Sequence, residues 1–237
     1  MFKLLFWTFT CFCTVSCSNN DHRIVRSPAI DSSGLGIYDA IVTSIQKHPY
    51  VVALMYENKF LCAGTIVSSS WIVTLGDCIL RNMSVRTGNV RVRVGSSDSM
   101  LGGALYPVSK VNVHPKYKTP KYDYDYACIQ INGNFQWSRK VQPLKLPKNE
   151  PKPNTVLVVA GWAYTTIPND IVSGYEFSLM QGKMKWVAKK KCQAAWESYG
   201  VLWTDRIACV NDIGKRAICN GDWGDALVAR GVFYGMI

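Results

Sequence analysis

Short apolar runs broken by turn-forming clusters dominate this 237-residue chain and constrain its fold most. "VRVRV" (90–94) alternates apolar and basic residues, the period of a strand with one buried face. "YVVALMY" (50–56), "GTIVSSSWIVTLG" (64–76), "YACIQI" (126–131), "TVLVVAGW" (155–162) and "GVFYGMI" (231–237) are equally β-rich. Between them lie "GSSDSMLGG", "HPKYKTPKYD" and "PKNEPKPN", rich in residues that set turns. The pattern predicts an all-β protein built as a sandwich or barrel. One helix is expected, over "VAKKKCQAAWESYG" (187–200), closed by Gly200. No internal repeat is present.

The first residues, "MFKLLFWTFTCFCTVSC", combine an early lysine, an apolar run and small residues, as a secretory signal does. Cleavage is expected after Ser16 or Cys17. A membrane anchor needs roughly 20 apolar residues, and the polar "SNNDHR" follows too soon, so no membrane span is expected. Residues 1–17 are read as the signal peptide and 18–36 as an unpacked leader.

Export makes disulfides possible. Cys11, Cys13 and Cys17 fall in or at the edge of the signal; Cys62, Cys78, Cys128, Cys192, Cys209 and Cys219 remain, in a pairing that sequence alone does not choose. Asn82 heads an Asn-Met-Ser glycosylation sequon. Net charge is +11, which suits acidic partners such as glycans and also simply keeps a chain soluble. Nucleic acid is not an expected partner, because no reading motif accompanies the charge. No Cys/His spacing suits zinc and no glycine loop suits phosphate, so no metal or cofactor is expected.

Three segments together resemble the trypsin/chymotrypsin family of secreted serine proteases. "CAGTIVSSSWIVTLGDC" (62–78) resembles the family's histidine segment, "YDYDYACIQI" (122–131) its aspartate segment, and "CNGDWGDALV" (219–228) its serine segment. "HPYVVAL" (48–54), "VHPKY" (113–117), "VQPLKLP" (141–147), "VAGW" (159–162) and "IAC" (207–209) add weaker support. The resemblance spans residues 37–237. It implies two six-stranded antiparallel barrels with any active site in the cleft between them. It also implies the disulfides Cys62–Cys78 and Cys192–Cys209, each worth about 3 kcal/mol in the chain-entropy model. Cys128 would be a buried free thiol, and Cys219 would lack its partner within this sequence.

The same resemblance places Asp125 at the catalytic aspartate, Asp77 at the histidine position and Trp223 at the serine position. Family chemistry needs a hydroxyl nucleophile and an imidazole base, and an indole offers only an N–H donor. Of the histidines, His22 lies in the leader, while His48 and His114 are expected as solvated turn residues. Gly221 would be the oxyanion-hole remnant. Ala217 stands where trypsins carry the pocket-base aspartate, and Asp225 replaces a glycine of the family turn, which a side chain is expected to constrain. The matching mature start is Ile37, after Gly36 and not after a basic residue. The sequence stops at Ile237, near the middle of the family's substrate-binding strand, which implies an incomplete second barrel with exposed apolar surface.

The reading that follows is a secreted, catalytically inactive homologue acting by binding. Its partner would be a protein, such as an active protease or inhibitor, or an acidic glycan. The alternatives are a residual serine-type endopeptidase and a truncated product without function. Trp223 would either plug the former site or anchor a partner.

Overall fold

The structure is a computed structural model that describes residues 41–80, 87–117, 123–162, 177–198, 204–213 and 223–237. The signal and leader, His22, Asn82, Gly200, Ala217, Cys219 and Gly221 lie outside the described residues.

After β1 (Ile41–Val42), the chain forms β2 (Val51–Tyr56), β3 (Lys59–Ile66) and β4 (Trp71–Thr74), then the short helix α1 (Gly76–Leu80). β5 (Val90–Val94), β6 (Ala104–Val113) and β7 (Ala127–Ile131) follow. These strands close an antiparallel barrel in the order β2-β3-β4-β7-β6-β5. β5 shows why alternation is informative: Val90, Val92 and Val94 are buried while Arg91 between them is exposed. The β2–β3 hairpin turns through Glu57 and Asn58, both at positive φ, which matches the right-handed twist of the strands. The run 64–76 is two strands, because the Ser68 hydroxyl accepts the Trp71 N–H (3.1 Å) and folds the intervening serines into a turn.

The second half contributes β8 (Val156–Gly161), β9 (Met180–Trp186), α2 (Lys189–Ser198), β10 (Val210–Asp212), β11 (Ala226–Ala229) and β12 (Val232–Met236). They form an antiparallel sheet, β1-β9-β8-β11-β12, with β10 also on β9. Leu157, Val159, Met184, Trp186, Leu227 and Ile237 pack its inner face. Phe233, Met236 and Ile237 of the last strand segment are buried.

β6 and β9 escape the apolar-run criterion. β6 carries Pro107 and is largely exposed, and β9 sets Met180, Gly182, Met184 and Trp186 inward against Gln181, Lys183 and Lys185. The lysines mask a two-residue period that is nonetheless present.

A strap over residues 141–145 ties the halves together. Gln142 N–H reaches Pro49 O and Leu144 N–H reaches Ile66 O (both 2.9 Å), while Lys145 O accepts from Phe233 N–H (2.9 Å). Trp162 donates its indole N–H to Ser97 O (3.1 Å) across the same boundary. Disulfides join Cys62 to Cys78 and Cys192 to Cys209, fixing α1 to β3 and α2 to the segment before β10. Cys128 is a buried free thiol, pushed up to about 11 by burial, which keeps it protonated and unreactive. Among the described residues, no helix is long and apolar enough to cross a membrane.

Candidate functional site

Three segments converge where the cysteine-linked helix α1 meets the loop before β7. Asp77 lies in the first turn of α1 and Asp125 two residues before β7; both are buried. The Asp125 carboxylate accepts the backbone N–H of Asp77 at 2.8 Å. That bond uses the main chain of residue 77 and is indifferent to its side chain. The Asp77 carboxylate accepts instead from the buried Tyr117 hydroxyl at 3.1 Å. Gly76 makes the approach possible, since a Cβ there would come within 3.3 Å of Asp125 Oδ1 and 3.0 Å of the Tyr117 ring. Tyr117 lies in the "VHPKY" segment of the resemblance, which gave it no role at the site.

Trp223 opens the turn that docks on the first barrel. Its carbonyl accepts the Ala63 N–H (2.9 Å), one residue after Cys62, and the half-buried side chain packs against the barrel core. Gly224 has φ of 88°, and a Cβ on it would collide with Ala63 O and crowd Thr74 Oγ1. Thr74 Oγ1 in turn donates to Ala63 O (2.8 Å). Two residues from Trp223, Asp225 is only 1% exposed, and φ there is not positive. The constraint expected at 225 does not arise. The left-handed position is 224, still a glycine, and the Asp225 carboxylate occupies the space left by the absent side chain of Gly161.

His48 is not the solvated turn residue expected. It is 6% exposed, with Nδ1 3.1 Å from Tyr50 Oη and Nε2 2.6 Å from Gln181 Oε1. An amide oxygen can only accept, so Nε2 carries the proton and the Tyr50 hydroxyl donates to Nδ1. Burial lowers the His48 pKa, the Gln181 bond opposes this in part, and Lys47 adds to the lowering. A buried imidazole kept neutral costs stability once the unfolded chain can protonate it, so stability falls as pH drops below about 6.5. Replacing His48 with Gln is expected to flatten the melting-temperature profile between pH 7.5 and 5.5, removing up to about one proton of linkage. An unchanged slope in that titration would show that the ring titrates freely.

His114 also departs from expectation. It is half-buried, its ring stacked on Tyr124 (4.5 Å, 6°) and tilted against Tyr126 (4.7 Å). Arg206 lies over the same Tyr124 ring at 4.1 Å and holds Asp123 through two bonds (2.6 and 2.8 Å), with Thr204 adding a third at 3.1 Å. Burial pushes the Asp123 carboxyl up, but Arg206 and Thr204 outweigh it and hold it below its ordinary value. These contacts tie the loop before β7 to the second half of the chain.

The trypsin family profile matches residues 38–237. The chain belongs to the trypsin family. It is 31% identical over 241 residues to Trypsin 5G1 of Aedes aegypti, covering 99% of this chain and 87% of that one. To Hypodermin-A of Hypoderma lineatum it is 28% identical over 201 residues, covering 85% and 76%. Among solved structures, neuropsin from mouse brain superposes with a TM-score of 0.72 at 22% identity, covering 84% and 86%. A scabies mite inactivated protease paralogue, S-D1, superposes with a TM-score of 0.71 at 21% identity, covering 84% of each chain. Both structural likenesses speak to the fold of the trypsin family.

Proposed function

We propose that this chain is a secreted member of the trypsin family that binds without cutting. What supports the reading is the motif resemblance, which sets Asp77 and Trp223 where the family's chemistry uses histidine and serine, together with the bond from the Asp77 N–H to the Asp125 carboxylate. The Asp77 side chain is already engaged by the Tyr117 hydroxyl and has no ring nitrogens with which to act as an imidazole would. The Trp223 indole has no hydroxyl to attack a carbonyl, and its packing against the barrel core fits a plug better than a protruding anchor. His48 is engaged with Tyr50 and Gln181, and the His114 ring with two tyrosines, which supports neither as a replacement base. The disulfides and the apolar N-terminal segment support export. The fold persists in a scabies mite protein described as inactivated, so this scaffold tolerates loss of chemistry in at least one other chain.

The test pairs a fluorophosphonate probe with a peptide-library digest of the purified protein. Neither covalent labelling nor turnover is expected, and Trp223→Ser alone is expected to stay silent because Asp77 remains. Labelling of the wild-type chain, or cleavage lost on Asp125→Ala, would restore the endopeptidase reading that family membership suggests.

A further inference from the structure

A second concave surface lies away from Asp77 and Trp223. It is an open groove of about 750 Å³ where the strap meets the outer face of the second sheet. Val156 and Val158 of β8, Val228 of β11 and Leu144 of the strap form an apolar floor. Among the described residues its charged lining is Lys47 and Arg230, with no acidic residue.

Sheet register extends the positive rim. Val156 pairs with Lys185 and Val158 with Lys183. Directly opposed residues of an antiparallel pair point to the same side, so both lysines stand on the face that carries the floor. They are exposed, as are Val156 (46%) and Arg230. Arg230 is held at the tip of the β11–β12 turn by positive φ at 230 and 231. Where the first barrel covers this face it is buried, as at Ala160 and Ala226; where the groove opens, Val156, Lys183, Lys185 and Arg230 face solvent and Val158 is partly exposed.

From this placement we infer that the groove docks an acidic, extended peptide segment of a partner protein, with apolar side chains on Val156 and Val158 and carboxylates against Lys183, Lys185 and Arg230. Charge complementarity selects the sign of the partner. The apolar floor selects a peptide over a sulfated glycan, because a glycan would match the cations and leave the valines without a partner. The inference deepens the binding role proposed above by naming a partner chemistry.

The experiment measures fluorescence anisotropy of the wild-type protein with a labelled peptide of alternating glutamate and leucine. Polyglutamate, an alternating lysine–leucine peptide and a heparin-type oligosaccharide serve as the other arms. The glutamate–leucine peptide is expected to bind and to weaken as salt rises. Binding should fall at least about tenfold in the Lys183→Glu/Arg230→Glu variant, and similarly in Val156→Asp, which removes apolar contact at an exposed position, each variant being checked for the wild-type melting temperature. Equal binding of polyglutamate or the oligosaccharide, indifference to the substitutions, or no binding at all would each overturn the inference. Fluorophosphonate labelling is read separately: a labelled protein that still binds the peptide defeats the inactive-homologue reading and leaves the groove standing.

Discussion

Gly161→Ala is expected to destabilise the protein by about 3 kcal/mol, the upper end for overpacking a filled interior. The β8 glycine is backed by the Asp225 carboxylate, and a Cβ there would overlap all three carboxylate heavy atoms. Asp225 is 1% exposed and follows directly from the Gly224 docking contact, so its side chain has nowhere to retreat. Thermal unfolding should register a fall on the order of 10 °C. The decisive measurement is the double variant. In an Asp225→Gly background the same alanine should cost under about 1 kcal/mol, since its collision partner is gone. Equal costs in both backgrounds would mean that the two positions are not coupled.

Gly224→Ala is expected to cost on the order of 4 kcal/mol, because backbone strain at positive φ adds to a collision with main chain. The new methyl would meet Ala63 O, and a backbone carbonyl within β3 cannot step aside as a flexible side chain could. Displacement would strain three bonds at once: Ala63 N–H to Trp223 O, Thr74 Oγ1 to Ala63 O, and Gly224 N–H to Ile237 O at 2.7 Å. Urea unfolding of the variant should show a lowered midpoint with an unchanged slope. A midpoint within error of wild type would show that the turn does not rest on β3. The substitution also explains why a tryptophan sits among residues kept small. The glycine after it serves the approach of two backbones, while the indole lies to one side against the barrel core.

Charge and burial at Asp77 illustrate how local sequence and tertiary contact divide the site. At the level of the motif, Asp77 stands only as a replacement for the family's histidine. In the folded chain Asp125 faces the main-chain N–H of residue 77, and the Asp77 side chain turns to Tyr117, forty positions away. The hydroxyl of Tyr117 supplies a donor that no local pattern announces. His48 repeats the lesson: a histidine before proline reads as surface, yet Gln181, from the other half of the chain, closes over it.

What the residues alone determined is the all-β class, the strand at 90–94, the helix near 189–198 and the kinship carried by three cysteine- and aspartate-bearing segments. Those features are periodic or local, and side-chain alternation along a strand survives any rearrangement of its neighbours. Only the tertiary structure decided that Tyr117 serves Asp77, that His48 is buried, that Asp225 fits because Gly161 is bare, and that Lys183 and Lys185 pair with Val158 and Val156 across the sheet. Each of these joins residues distant in sequence, and their contact depends on strand register and on how two packed halves meet, which hydrophobic pattern by itself does not encode.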